Sequence, residues 1–294
     1  MENKHSAVAL GIFDGVHLGH RAVINAVLSQ RENGLAAAVF TFGPECALRK
    51  AGGASGYIYT EAEKDMILRE QMGVDNVFSP PFESLCGLSG EEFARDILAE
   101  RMGAAHVCCG GDFRFGRKAS CGAEELKCFG ERFGFEVEIV GQVEADGSAV
   151  SSSRIRELLL AGDITAANRL LGSDYFISAE VTDGNHIGRT IDFPTINQDF
   201  GDGQLVPGYG VYATSTEIDG KAFSSVTNVG VKPTIKGVRR PLAETHIIGY
   251  SGDLYGKSVS VSFSRFVRPE KRFDSLEELK MQINADINSV MNIL

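Results

Sequence analysis

Apolar and polar positions follow two rhythms along these 294 residues. In the first half, short apolar runs alternate with stretches of helical period. Residues 7–13, 35–42 ("LAAAVFTF"), 106–109 and 136–140 ("EVEIV") predict strands. Between them, 60–73 opens on Thr60 with Glu63 three residues later, a capping box, and stops at Gly73. Residues 89–103 repeat the device with Ser89, Glu92 and Gly103, and Phe93, Ile97, Leu98 and Met102 share one face. A third helix, within 151–163, ends at Gly162. Strands alternating with helices imply a parallel sheet with crossover connections, and such sheets bind ligands beyond the carboxyl ends of their strands.

After about Gly172 the rhythm becomes that of short β-branched and aromatic strands separated by turns, including "YGVYATSTEIDG" and "KSVSVSFSRFV". Asp219-Gly220 is a hairpin signal between two of them. The pattern predicts an antiparallel sheet closed into a small barrel. A terminal helix follows, opened by Ser275 and Glu278, with Leu276, Leu279, Ile283, Ile287 and Val290 as the stripe that packs on the barrel. The expected organisation is an α/β domain over 1–172 and a β-barrel domain with a C-terminal helix over 173–294.

Composition narrows the partners. A net charge of -10 leaves no broad basic face for nucleic acid, while local clusters can still hold small anions. No apolar stretch is long enough to span a membrane. The apolar piece near the N-terminus runs straight into a glycine-histidine motif, so it reads as a core strand. Six cysteines, Cys46, Cys86, Cys108, Cys109, Cys121 and Cys128, form no C-x-x-C pair. They are expected to be buried thiols of a cytoplasmic protein, with spacing unsuited to a metal site.

The chemistry begins in "LGIFDGVHLGH", residues 10–20, where a strand runs into a turn and a helix. His17 and His20 are three apart, so they share a face at a helix N-terminus, where amides and the dipole attract anions. Gly15 and Gly19 have no Cβ and let a phosphate near the backbone. Two imidazoles there can stabilise charge on a leaving pyrophosphate. "SSSRIRELL" places Ser151, Ser152, Ser153, Arg154 and Arg156 at a second helix opening, another anion cradle. In the barrel half, Thr195 and Asn197 of "GRTIDFPTINQ" alternate on an extended segment, so both can face hydrated Mg²⁺ and a phosphate. Glu244 and His246 share a face of a later strand, and Glu244 is a candidate general base for a primary hydroxyl.

"GIFDGVHLGH", "GGDFRFGRKASCG" and "SSSRIRELLLAGD" together resemble the adenylyltransferase module of the prokaryotic bifunctional riboflavin kinase/FAD synthetases, in the H-x-G-H nucleotidyltransferase superfamily. The barrel half, with "GRTIDFPTIN", "NVGVKPT", "ETHIIGY", "DLYG" and "VRPEKRFDSLEELKMQI", resembles their riboflavin kinase domain. The resemblance spans nearly the whole chain. It implies a Rossmann-like first domain that joins FMN to ATP as FAD with release of pyrophosphate, and a barrel that phosphorylates riboflavin to FMN. The implied partners are riboflavin, FMN and ATP, with Mg²⁺ as cofactor; oligomeric state stays open.

By the same resemblance, His17 and His20 hold ATP phosphates, and Gly11, Phe13, Asp14, Gly15, Gly19, Asp112, Ser152 and Arg156 complete that nucleotide site. Phe115 packs on the flavin. In the kinase, Gly188, Thr195 and Asn197 bind nucleotide, Thr195 and Asn197 hold the metal, Glu244 is the base, and Arg268 and Phe273 shape the flavin pocket. Two departures stand out. Asp192 replaces a usual glycine in "TIDFPT", and Phe42-Gly43-Pro44-Glu45-Cys46 lacks the family's usual histidine. Asp192 motivates a narrower alternative, an adenylyltransferase whose barrel only binds flavin. A flavin-responsive regulator without catalysis is opposed by the intact His17 and His20.

Overall fold

The computed structural model describes residues 5–46, 56–183, 192–233 and 239–293. The chain divides into two compact units, Met1–Ser152 and Ser153–Leu294.

The first unit is built on β1 (Ser6–Leu10), β2 (Ala36–Phe40), β3 (Asn76–Phe78), β4 (Ala104–Gly110) and β7 (Glu136–Val140), in the order β3-β2-β1-β4-β7. All four pairings are parallel. The connecting helices are α1 (Leu18–Ser29), α2 (Glu61–Met66, continued in wider turns to Gln71), α3 (Gly90–Glu92, continued to Arg101) and α4 (Ala123–Phe133). Both capping boxes form, Thr60 with Glu63 and Ser89 with Glu92. Gly73 and Gly103 end their helices at φ +75° and +57°. One sheet face is closed by Val107, Cys109 and Leu10 against Phe93, Ile97, Leu98 and Leu126. Strand β1 ends at Leu10, shorter than its apolar run, because a left-handed turn begins within the next three residues.

Two small hairpins decorate this unit: β5 (Arg114–Phe115) with β6 (Cys121–Gly122), and β8 (Glu144–Ala145) with β9 (Ser148–Ala149). Helix α5 (Ser152–Leu160) follows.

The second unit contains α6 (Ile164–Leu171), β10 (Tyr175–Glu180), β11 (Thr195–Asp199), β12 (Gly210–Ile218), β13 (Lys221–Pro233), β14 (Arg239–Ile247), β15 (Ser258–Arg268) and α7 (Leu276–Met291). The antiparallel sheet runs β10-β15-β12-β13-β14-β11. A bridge from Thr182 to Asn197 joins its two edges, so the sheet curls into a barrel closed at one point. Asp219 and Gly220 make the β12–β13 hairpin, both with positive φ. The barrel interior carries a hydroxyl ladder: Thr214–Thr227 and Thr227–Thr245 at 2.8 Å, Thr216–Ser225 at 2.7 Å. Each hydroxyl satisfies its neighbour, which makes its burial tolerable. Helix α6 packs on β10 and β15, with Asn168 bonded to Tyr175 N and Phe263 O. The apolar stripe of α7 docks by its C-terminal half, through Ile287 and Val290, while Leu276 is 53% exposed.

The cysteines depart from expectation. Cys46, Cys108 and Cys109 are buried, but Cys86 and Cys128 are exposed.

Candidate active sites

The turn after β1 is held in an unusual conformation. Phe13 and Val16 have φ of +52° and +38°, and Gly15 lies at +85°. Left-handed non-glycine residues cost about 1–3 kcal/mol each and persist only where surroundings over-determine them. The surroundings are explicit. Asp14 Oδ1 accepts from Ile58 N at 2.9 Å. The Asp14 carbonyl accepts from Ser152 Oγ at 2.8 Å. Arg21 Nε donates to Val16 O at 3.0 Å. Buried Lys64 donates to Thr41 Oγ1 at 3.1 Å, to Phe42 O, and at 3.5 Å to Ile12 O. Burial pulls the Lys64 ammonium below the usual lysine range, opposed by the carboxylates of Asp14, Glu61 and Glu45.

This frame aims the histidines. His17 caps α1, and its Nδ1 accepts from His20 N at 3.4 Å. With Nδ1 as acceptor, the hydrogen-bond network assigns the ring proton to Nε2. The two imidazoles stack at 3.6 Å between centroids and 18° between planes. Phe13 meets His20 edge-on at 5.3 Å, so its buried ring supports a histidine. A Cβ on Gly19 would lie 3.2 Å from His17 Cε1, so this glycine makes room for the ring. Gly11 does the same for Phe13, at 3.0 Å from Cζ.

Ser152, of the second predicted anion motif, reaches this turn through its bond to the Asp14 carbonyl, and a Gly19 Cβ would lie 3.9 Å from Val150 O. Asp112 is exposed in the turn after β4, and β4 lies beside β1 with Leu10 opposite Cys109. It therefore stands at the same carboxyl edge of the sheet. Arg156 is buried on α5. Phe115 lies in the core, with Phe93 at 5.6 Å and Phe113 at 5.7 Å. Sequence reasoning missed Arg21, Ile58 and Lys64, which brace backbone and carry no motif.

The barrel site is built from register. Thr195 pairs with His246 and Asn197 with Glu244 across β11 and β14. Asn228 of β13 also pairs with Glu244, so Asn228, Glu244 and Asn197 form a polar row across three strands. Directly opposed side chains start about 4.5–5.5 Å apart at Cβ. Asn197 is buried, and Thr195 and Glu244 are half-buried. His246 Nδ1 lies 2.9 Å from Pro194 O and its ring meets Phe193 edge-on, which fixes the approach to Thr195. Asn228 escaped the sequence reading, although strand alternation was the available signal.

Gly188 lies outside the described residues. Arg268 holds buried Asp286 of α7 with both ends of its guanidinium, at 2.9 Å and 2.7 Å. Phe273 sits 5.9 Å from that guanidinium. Asp192 has φ +65°, the conformation glycine adopts freely, and its exposed carboxylate is 3.4 Å from Lys280 Nζ on α7.

Comparison with known proteins fits this two-site layout. A family model described as FAD synthetase matches residues 1–154, and one described as riboflavin kinase matches residues 171–294. A bifunctional riboflavin kinase/FMN adenylyltransferase of Pseudomonas fluorescens is 36% identical over 97% of this chain and 92% of its own. The chain belongs to this family. The relative from Bacillus subtilis is 32% identical over 97% of this chain and 91% of its own. A solved structure from Streptococcus pneumoniae, named a macrolide-efflux protein, has a TM-score of 0.84 at 30% identity, covering 99% of this chain and 95% of its own. Among the described residues of the present chain, no helix is long and apolar enough to cross a membrane.

Proposed function

We propose that the chain performs two consecutive transfers from ATP, in separate sites. At the barrel, the Glu244 carboxylate takes the proton from the riboflavin 5′-hydroxyl as that oxygen attacks the γ-phosphorus; FMN forms and ADP leaves. The Thr195 hydroxyl and the Asn197 amide oxygen are hard donors beside a carboxylate, a set that suits Mg²⁺. When bound, that ion neutralises charge on the phosphates. His246 positions the Pro194–Thr195 segment through its contact with Pro194 O.

At the α/β site, a phosphate oxygen of FMN attacks the α-phosphorus of ATP, the bond to the β-phosphate oxygen breaks, and pyrophosphate leaves. His17 and His20 hold the phosphates and offset charge on the leaving group, with Ser152 and Asp112 at the same edge of the sheet. No side-chain nucleophile is needed, so the braced turn supplies position.

The observation that carries the proposal is the meeting of two independent constellations in one chain. One is the stacked His17–His20 pair at the sheet's carboxyl edge, and the other is the in-register Asn197–Glu244 pair with Thr195. Adenylyl transfer is assigned to 1–172 and the kinase to 173–294, following the change in sequence pattern. A cytoplasmic location fits six cysteines held as thiols and the supply of ATP.

Purified protein given riboflavin, ATP and Mg²⁺ tests this by chromatographic separation of flavins. FMN should appear first and FAD after it. FAD from supplied FMN, with none from riboflavin, would favour a barrel that only binds flavin.

A further inference from the structure

The far end of the parallel sheet carries a second cluster of chemistry. His106 and Cys108 alternate on β4, and Glu136 and Glu138 alternate on edge strand β7. The register opposes them in pairs, His106 to Glu136 and Cys108 to Glu138, so all four project from one face. That face is the one packed under α1, opposite the apolar cluster containing Val107 and Cys109. His106 Nε2 lies 3.2 Å from Glu138 Oε2, and Cys108 Sγ lies 3.8 Å from the same oxygen. Ligand atoms from the three residues all fall within 4.8 Å of one another. Donors held at about 2.0–2.3 Å around a tetrahedral ion stand roughly 3.3–3.6 Å apart, so little movement is needed.

We propose that His106, Cys108 and Glu138 form a binding site for Zn²⁺ or a chemically similar divalent transition ion, at the end of the parallel sheet away from His17 and His20. One thiolate, one imidazole and one carboxylate suit such ions better than Mg²⁺. The fourth position is left to water. Glu136 Oε2 stands 3.5 Å from His106 Nδ1, on the side of the ring turned away from Glu138. A carboxylate there orients a metal-binding histidine and raises its basicity. An open cleft of about 810 Å³, lined by Gln30, Asn33, His106 and Glu136, reaches the histidine of the cluster. Binding exchanges the Cys108 thiol proton for the ion: the S–H bond breaks, the proton leaves to solvent, and sulfur donates to the metal. The spacing along one strand hid this site, because one of its three donors comes from the neighbouring strand.

The test uses the full-length chain, stripped with chelator and titrated with Co²⁺ alone. One equivalent should develop a thiolate-to-cobalt charge-transfer band and an intense tetrahedral spectrum, and Zn²⁺ should displace both. Cys108→Ser should abolish the charge-transfer band. His106→Gln and Glu138→Gln should weaken Co²⁺ binding at least tenfold, and Glu136→Gln by about 10–100-fold. Cys86→Ser and Cys128→Ser, at exposed thiols, should leave the band unchanged. No charge-transfer band in the wild type would overturn the proposal. So would a band that survives Cys108→Ser, or unchanged affinity in the exposed-side-chain variant Glu138→Gln.

Discussion

The two proposed transfer sites hold their side chains by opposite means. At the α/β site, one turn carries three residues at positive φ, Phe13, Gly15 and Val16. At the barrel site, Thr195, Asn197, Glu244 and Asn228 sit on regular strands and are brought together by pairing alone. Left-handed backbone must be held from outside, so the first site depends on residues such as Lys64 and Ser152 that do its bracing. A strand pair needs no such frame. The α/β site should therefore fail through many residues, and the barrel site through few.

The largest break separates folding from chemistry in the barrel. All the proposed kinase residues lie beyond 173, yet α6 buries Ile164, Leu170 and Leu171, and packs on β10 and β15. Burying such a side chain is worth about 1.5–3 kcal/mol, so losing three removes an amount comparable to a small domain's whole stability. A fragment of residues 163–294 should give a cooperative thermal transition and make FMN. A fragment of residues 173–294 should give neither. Equal melting temperatures for the two would show α6 to be dispensable.

Within the intact chain, single substitutions divide the reactions. Glu244→Gln should lower FMN formation by about 10²–10⁴-fold, the usual loss for a general base. FAD formation from supplied FMN should continue at the wild-type rate. His20→Ala should do the reverse, lowering FAD formation by roughly 10²–10³-fold, as for removal of one donor to developing charge. FMN formation should not change. Parallel losses of both products in either variant would mean that the sites are not independent.

Lys64→Met tests the bracing directly. It removes the ammonium that serves the Ile12 and Phe42 carbonyls and Thr41. Each buried acceptor left unsatisfied costs about 1–3 kcal/mol. Denaturant unfolding should show destabilisation of that order, and FAD formation should fall while FMN formation holds. Unchanged FAD formation would show that the turn after β1 keeps its shape without the lysine.

What the sequence revealed follows the same divide. Local devices were legible: the Thr60–Glu63 and Ser89–Glu92 capping boxes, the Asp219-Gly220 turn, and the placing of His17 and His20 at a helix start. Strand alternation was enough to put Thr195 with Asn197, and Glu244 with His246. Which strand lies beside which was not legible, so Asn228 joined the barrel row only in the structure, and the His106–Cys108–Glu138 cluster appeared only when β4 met β7. Lys64 looked like one more polar position on α2, because nothing local marks a lysine that will be buried under two strand ends. The three-residue β3 was too short for any period to register. Arg268 was carried over as a pocket residue, and its bidentate hold on Asp286 depends on a helix eighteen residues away.

Asp192 is the position where the smallest effect carries the most information about the barrel. A carboxylate close to the ATP phosphates would repel them, and Asp192→Gly would then lower the KM for ATP. The structure points the other way: the side chain is 89% exposed and its carboxylate pairs with Lys280 on α7. An exposed pair of this kind contributes about 0–1 kcal/mol, and glycine accommodates φ +65° without strain, so the two consequences of the change nearly cancel. Asp192→Gly should leave the KM for ATP in FMN formation unchanged and shift stability by no more than about 0.5 kcal/mol. A clear fall in KM would mean that this carboxylate swings toward bound nucleotide. The barrel site would then share with the α/β site a dependence on a residue in left-handed conformation, and the contrast between them would narrow to Phe13 and Val16.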